Sequence, residues 1–208
     1  MKIISVNVSP PILQIYGEHE LVTGIGKTPV PSARLHWRNF EGDGQADLIH
    51  HGSPDQAVCV YAYNHYAYWE GRLGQRLLPG AFGENLTIQG ALESQVCIGD
   101  IFQIGEAQVQ VTQPRQPCAK IGKKFGESKL PEWMIAYRAS GFYLRVLQEG
   151  LVTSGAEFEL VQPHPLGISI AMVDDLIYER STDRALIEQL ARLPEFSAAG
   201  RERFTKKL

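Results

Sequence analysis

Strand-like alternation fills this chain as far as Gln162-Pro163-His164-Pro165 and ends there. Prolines at two of four positions fix backbone angles and withhold amide donors, so no sheet runs through the segment. Upstream, short runs recur between glycines and prolines. Ile4, Val6 and Val8 alternate with Ser5 and Asn7. Residues 45–49 and 57–63 are further candidates, and Leu86 and Ile88 follow the glycine-rich residues 79–83. Residues 96–98, the turn Gly99-Asp100 and residues 101–104 read as a hairpin. Residues 107–112, 142–147 and 157–161 complete the set. This spacing predicts a mainly β fold with some α, a curled sheet or β-barrel over residues 1–163. Residues 64–73 and 129–139 carry helical character, with Pro131 in the first turn of the second.

Residues 164–208 read as a small three-helix appendage. Ser169 caps a helix that buries Ile170, Val173 and Ile177. Ser181 or Thr182 caps one that buries Leu186, Leu190 and Leu193. Pro194 opens a third, with Phe196, Ala199 and Phe204 on one face.

A hydrophobic fraction of 44% supplies a core and argues against disorder, and a net charge of -3 argues against coating nucleic acid through overall basicity. The first residues lack the basic start and apolar run of a secretory signal, and no window has the length of a membrane span. Cys59, Cys97 and Cys118 are widely spaced and odd in number, which favours reduced thiols in the cytoplasm. With Met1 in place, a full-length chain is expected.

The chemistry concentrates in Gln113-Pro114-Arg115-Gln116-Pro117-Cys118-Ala119-Lys120. A strand leads into a corner stiffened by two prolines, and the corner presents a thiol. Arg115 precedes Cys118 by three residues; Lys120, Lys123 and Lys124 follow it. Nearby cations, and a helix beginning at the thiol, both favour a thiolate. Such a group can ligate a soft metal, attack as a nucleophile or carry sulfur, and an inert buried thiol is the plain alternative. Cys59 and Cys97 sit inside apolar runs and read as core residues. No Cys-x-x-Cys or His-x-x-x-His spacing suggests zinc. Thr23-Gly24-Ile25-Gly26-Lys27 lacks P-loop spacing, and residues 42–47 read as a turn rather than a calcium loop. The tyrosines at 61, 63, 66 and 68 with Trp69 have the mixed spacing of core packing.

Four segments in order resemble the MOSC-domain family, named for the C-terminal domain of molybdenum-cofactor sulfurase. They are His50-His51-Gly52-Ser53-Pro54-Asp55-Gln56, Gly80-Ala81-Phe82-Gly83-Glu84-Asn85-Leu86-Thr87, Gly99-Asp100 and Pro114-Arg115-Gln116-Pro117-Cys118-Ala119-Lys120. The likeness is greatest to the YiiM-type subfamily, whose members carry a three-helix appendage. Ser53 stands where the family often has glycine. The resemblance implies a strand-rich barrel and a pyranopterin molybdenum cofactor whose metal is held by Cys118. It implies reduction of N-hydroxylated compounds, N-hydroxylated purine bases among them, by removal of the N–O oxygen. Arg115, Lys27, Ser32, Lys120, Phe82 and Gly83 are the expected cofactor contacts. Asn85 is expected near the metal and Glu84 is expected to orient it or the substrate; His51 and Asp55 are candidate proton donors.

No flavin, nicotinamide or iron–sulfur motif is visible, so an outside reductase of flavoprotein or ferredoxin type would supply electrons. The alternative is a non-catalytic carrier of the cofactor or of persulfide sulfur. A third reading, nucleic-acid binding by Arg201, Arg203, Lys206 and Lys207, is weakened by the interspersed Glu188, Glu195 and Glu202.

Overall fold

A computed structural model describes residues 1–48 and 52–208. Its centre is an eight-stranded sheet. The strands are β1 (Lys2–Val8), β4 (Thr28–Val30), β6 (Val58–Ala62), β7 (Leu86–Gln89), β8 (Ile101–Ile104), β9 (Ala107–Pro114), β10 (Phe142–Gln148) and β12 (Phe158–Gln162), in the order β12-β8-β9-β10-β6-β7-β1-β4. Two small ribbons flank it. One pairs β2 (Ile12–Tyr16) with β3 (His19–Thr23), the other β5 (Ser32–Leu35) with β11 (Gly150–Thr153). The helices are α1 (Tyr66–Leu73), α2 (Ala119–Phe125), α3 (Leu130–Ala136), α4 (Ile170–Ile177), α5 (Arg184–Arg192) and α6 (Ala198–Thr205).

The barrel expectation needs correction. The sheet curls until its ends touch: Ile3 N donates to Ala156 O at 2.9 Å, Gly155 N to Ile3 O at 2.8 Å, and Phe158 N to Met1 O at 2.9 Å. Pairing does not continue as a ring, because β4 occupies the edge of β1 from Val6 onward. Pro29 lies within β4, and the lost donor is tolerated because β4 is the last strand.

Several local expectations shift for identifiable reasons. An irregularity between Ile3 and Ser5 breaks the simple alternation of β1, so that Ile3, Val6, Ser5 and Asn7 are all buried. The expected hairpin at 96–104 is displaced. β8 turns back through Gly105-Glu106 onto β9, while Cys97 bridges to Ser169. Residues 45–48 form no strand, and Ile49 lies outside the described residues. Ser169 does cap α4, accepting from Met172 N at 3.2 Å. Asp183, not Ser181 or Thr182, caps α5, accepting from Leu186 N at 3.0 Å. The third helix starts at Ala198 with Ser197 as its cap, and Pro194 sits in the turn before it.

The helical segment and the sheet share one core. Ile170, Val173, Leu190, Phe196 and Phe204 pack in the same cluster as Val109, Val111 and Leu144. A second cluster, with Tyr61, Tyr66, Trp69 and Phe82, lies under α1 to α3. No helix among the described residues is long and apolar enough to cross a membrane.

One buried acid joins α4 to the segment before β10. Asp174 Oδ2 accepts from Ser140 Oγ at 2.6 Å, and its Oδ1 is buried without a partner. Burial pushes this carboxyl up to about 7, against the Ser140 bond. From about pH 4 to 7 the folded chain therefore holds a proton that the unfolded chain releases, and stability falls as pH rises through that window. Asp174→Asn should raise Tm by at least ~2 °C at pH 8, with the gain vanishing toward pH 4, in thermal scans across that range.

Candidate active site

Cys118 stands at the corner between β9 and α2. Its backbone is extended (φ -106°, ψ 164°), as an N-cap position requires, and its carbonyl accepts from Ile121 N at 3.1 Å. The half-buried Cys118 lines a cleft of about 110 Å³. The same cleft gathers Lys27, Gly83, Arg115 and Lys120, expected at a cofactor site, and Asn85, expected near the metal.

Arg115 is the electrostatic centre. Only 6% of it is exposed. Its backbone N donates to Gly141 O at 3.0 Å, and its Nη2 donates to Phe82 O at 2.6 Å. Its Nη1 is buried and has no partner. Burial opposes the charge, the nearby Glu84 carboxylate favours it, and the net direction is upward, so the guanidinium stays charged. A buried donor left unpaired costs about 1–3 kcal/mol, and more when charged. A negatively charged group in the cleft would remove that cost.

The carbonyl that meets Arg115 is placed by Glu84. This carboxylate is fully buried and accepts from Gly80 N at 3.0 Å, Phe82 N at 3.1 Å, Thr87 Oγ1 at 2.6 Å and Tyr66 Oη. The turn it organises directs its own carbonyls at cations. Besides Phe82 O on Arg115, Ala81 O accepts from Lys124 Nζ at 2.7 Å, and Lys124 also reaches Ile25 O at 3.2 Å. Burial pulls the Lys124 ammonium down to about 8. Gly83 has φ +79°, and a Cβ there would lie 2.7 Å from Ile25 Cγ1, so glycine lets the loop after β3 close on the turn.

Asn85 is a tie between walls. Its Oδ1 accepts from Cys59 N at 3.0 Å, and its Nδ2 donates to Asp43 Oδ2 at 2.8 Å and Asn7 O at 3.3 Å. Both amide donors are thus spent within the protein, and the second lone pair of Oδ1 is what it can still offer. Asp43 also accepts from Ser9 N at 2.9 Å and pairs with Lys27. The Lys27 charge is therefore compensated, whereas that of Arg115 faces the cleft.

Other expected residues lie elsewhere. Asp55 is outside the cleft; it pairs with Arg145 at 2.9 Å and accepts from Ala198 N at 2.9 Å, tying the Pro54–Gln56 turn to α6. Ser32 is exposed on β5, opposite Thr153. The Phe82 ring packs on Tyr61, 4.6 Å between centroids, and its backbone carbonyl meets Arg115. Glu84 acts from behind the wall. His51 lies outside the described residues.

Not every lining residue was expected. Cys59 and Tyr143 both line the cleft, and they are opposite one another in the β6–β10 ladder. Local pattern hid them, because Cys59 sits in an apolar run and Tyr143 in an ordinary strand alternation. Burial pushes the Cys59 thiol up, with Arg115 partly opposing. Burial, then Cys59, also pushes the Tyr143 phenol up, so it remains protonated at neutral pH. Among the described residues, no group of three or more His, Cys, Asp or Glu side chains could hold a metal ion.

The MOSC domain model matches residues 47–159, just over half of the chain. The chain is 45% identical over 206 residues to the uncharacterized protein YflK of Bacillus subtilis, covering 99% of this chain and 93% of that one. The crystal structure of YiiM from Geobacillus stearothermophilus superposes with a TM-score of 0.85 at 38% identity, covering 100% of this chain and 98% of that one. A Gibberella moniliformis protein named "Reductase" is 31% identical over 69% of this chain but only 26% of its own length. The chain therefore belongs to the MOSC domain family and is YiiM-like over its whole length.

Two outcomes follow from the site. Glu84→Gln places an amide N–H₂ among donors and should cost about 3 kcal/mol, read from urea unfolding. Iodoacetamide should label Cys118 at least ~10-fold faster than Cys59, measured by peptide mass spectrometry on the folded chain.

Proposed function

We propose that this protein is a molybdenum-cofactor-dependent reductase of N-hydroxylated compounds, such as N-hydroxylated purine bases, with Cys118 as the protein's ligand to the metal. The observation that carries this reading is that Arg115, whose buried Nη1 has no partner, lines the same cleft as Cys118. A soft sulfur donor and an unmet cation suit a thiolate-bound metal on an anionic organic ligand. Since the described residues supply no multidentate metal set, a metal here would arrive with its own donors and take one more from Cys118. Membership of the MOSC domain family and the relative named "Reductase" favour the same reading.

Bound there, the cofactor would supply the two-electron change that removes oxygen from an N–O group. The chain's own part is to hold and to protonate. Arg115 would pair with the anionic portion of the cofactor, with its fork aimed by Phe82 O. Lys120 adds a second cation at the rim of the cleft. The departing oxygen must become water, and the Tyr143 phenol, protonated and lining the cleft, is a candidate donor. The electron donor in this reading is a separate flavoprotein or ferredoxin-type reductase.

Protein from a cofactor-competent host should contain molybdenum and reduce an N-hydroxylated purine base with a reduced dye as donor. Cys118→Ser should lower turnover by at least ~100-fold, and Arg115→Gln should lower the metal retained after gel filtration. Metal-loaded protein that turns over no N-hydroxylated compound would leave the cofactor-carrier function instead.

A further inference from the structure

Gln56, Gln116 and Tyr143 line the Cys118 cleft and also line a second cavity, of about 360 Å³, that is distinct from it. Its remaining walls come from Gln113 and Pro114 on β9, Ile177 at the end of α4, and Phe196, Ala199, Arg203 and Phe204 around α6. That volume falls within the roughly 300–1,000 Å³ of small-molecule sites.

The cavity is held open by specific ties. Ser197 N donates to Thr112 O at 3.1 Å, Ala198 N to Asp55 at 2.9 Å, and Ser197 Oγ accepts from Gly200 N at 3.0 Å. A Cβ on Gly200 would lie 2.4 Å from the Phe196 ring, so α6 approaches that ring as only glycine permits. Arg203 braces the far side, donating to Ile177 O at 3.2 Å and Gln116 Oε1 at 3.3 Å.

The lining chemistry is selective. Phe196 and Phe204 are nearly parallel, with an 18° interplanar angle. Beside them, the side-chain amides of Gln56 and Gln113 and the Tyr143 hydroxyl have no hydrogen-bond partner among the described residues and are not sealed from water. Each free amide offers a donor and an acceptor. A purely apolar guest would leave these groups dry and unpaired, at about 1–3 kcal/mol apiece. A flat heteroaromatic base satisfies both the apolar walls and the amides.

We propose that this second cavity is a subsite for the planar heteroaromatic ring of the substrate, with its exocyclic nitrogen directed past Tyr143 toward Cys118. The C-terminal helices then select the substrate rather than merely covering the sheet. The fate of the N–O end rests on the reductase reading; binding of the ring does not.

Adenine is the probe, titrated into the full chain without metal and followed by calorimetry and by the methyl signals of Ala199 and Ile177. Binding with shifts at those methyls is expected. Ala199→Leu fills the cavity from an exposed helix position, and should raise Kd by at least ~10-fold; Gln113→Leu should raise it about 5-fold. Unchanged Tm in both variants would show that the fold is intact. In metal-loaded protein, Ala199→Leu should raise KM for an N-hydroxylated purine about 10-fold and leave KM for a small acyclic hydroxylamine unchanged. No adenine binding at millimolar concentration, or binding indifferent to both variants, overturns the subsite. Adenine binding that Ala199→Leu abolishes, with no turnover of any N-hydroxylated compound, would sink the proposed reaction and leave the subsite standing.

Discussion

A carboxylate with no exposure to water sets the geometry of the whole site. Glu84 is fully buried, and its charge is held by four donors from its own turn, from Thr87 and from Tyr66. Those bonds fold residues 80–83 so that their carbonyls point outward at Arg115 and Lys124. The negative charge thus stays behind the wall, and its effect reaches the cleft as oriented carbonyl dipoles. The neighbouring Asn85 completes the wall by joining β6, β1 and the Asp43 loop through one amide.

The cleft that results treats similar groups differently. Lys27 and Arg115 are both cations lining it, but Asp43 compensates the first, while half of the second's fork is left without a partner. Cys59 and Cys118 are both thiols lining it. Cys59 lies within a central strand, where burial raises the cost of its thiolate; Cys118 caps a helix at a half-buried corner. A half-buried thiol and an arginine with an unpaired donor thus meet in one cleft at Cys118 and Arg115.

Much of this arrangement was legible locally. The strand at 107–112, the proline corner, the thiol at a helix start and the cap at Ser169 each rest on a few consecutive residues. Reading failed where the controlling contact was distant. Nothing near Ser5 and Asn7 marks them as buried; they are buried because β7 and residue 154 pack on β1. The hairpin at 96–104 was misplaced because β9 could pair with β8 through Gly105, a choice that local turn signals do not decide. Asp55 carried the signature of a functional loop, but its carboxylate joins Arg145 and α6, 143 residues further on for Ala198 N.

The sequence by itself determined the periodicities, the caps, the stiff corner at 114–117 and the kinds of chemistry available, because backbone restriction and side-chain reactivity are properties of short segments. Only the tertiary structure decided which of those groups share a cleft. It placed Cys59 and Tyr143 beside Cys118, took Ser32 and Asp55 away, and opened a second cavity under α6. The physical reason is that burial, unpaired hydrogen-bonding atoms and compensated charge are set by what packs from elsewhere in the chain, and no local stretch of residues encodes them.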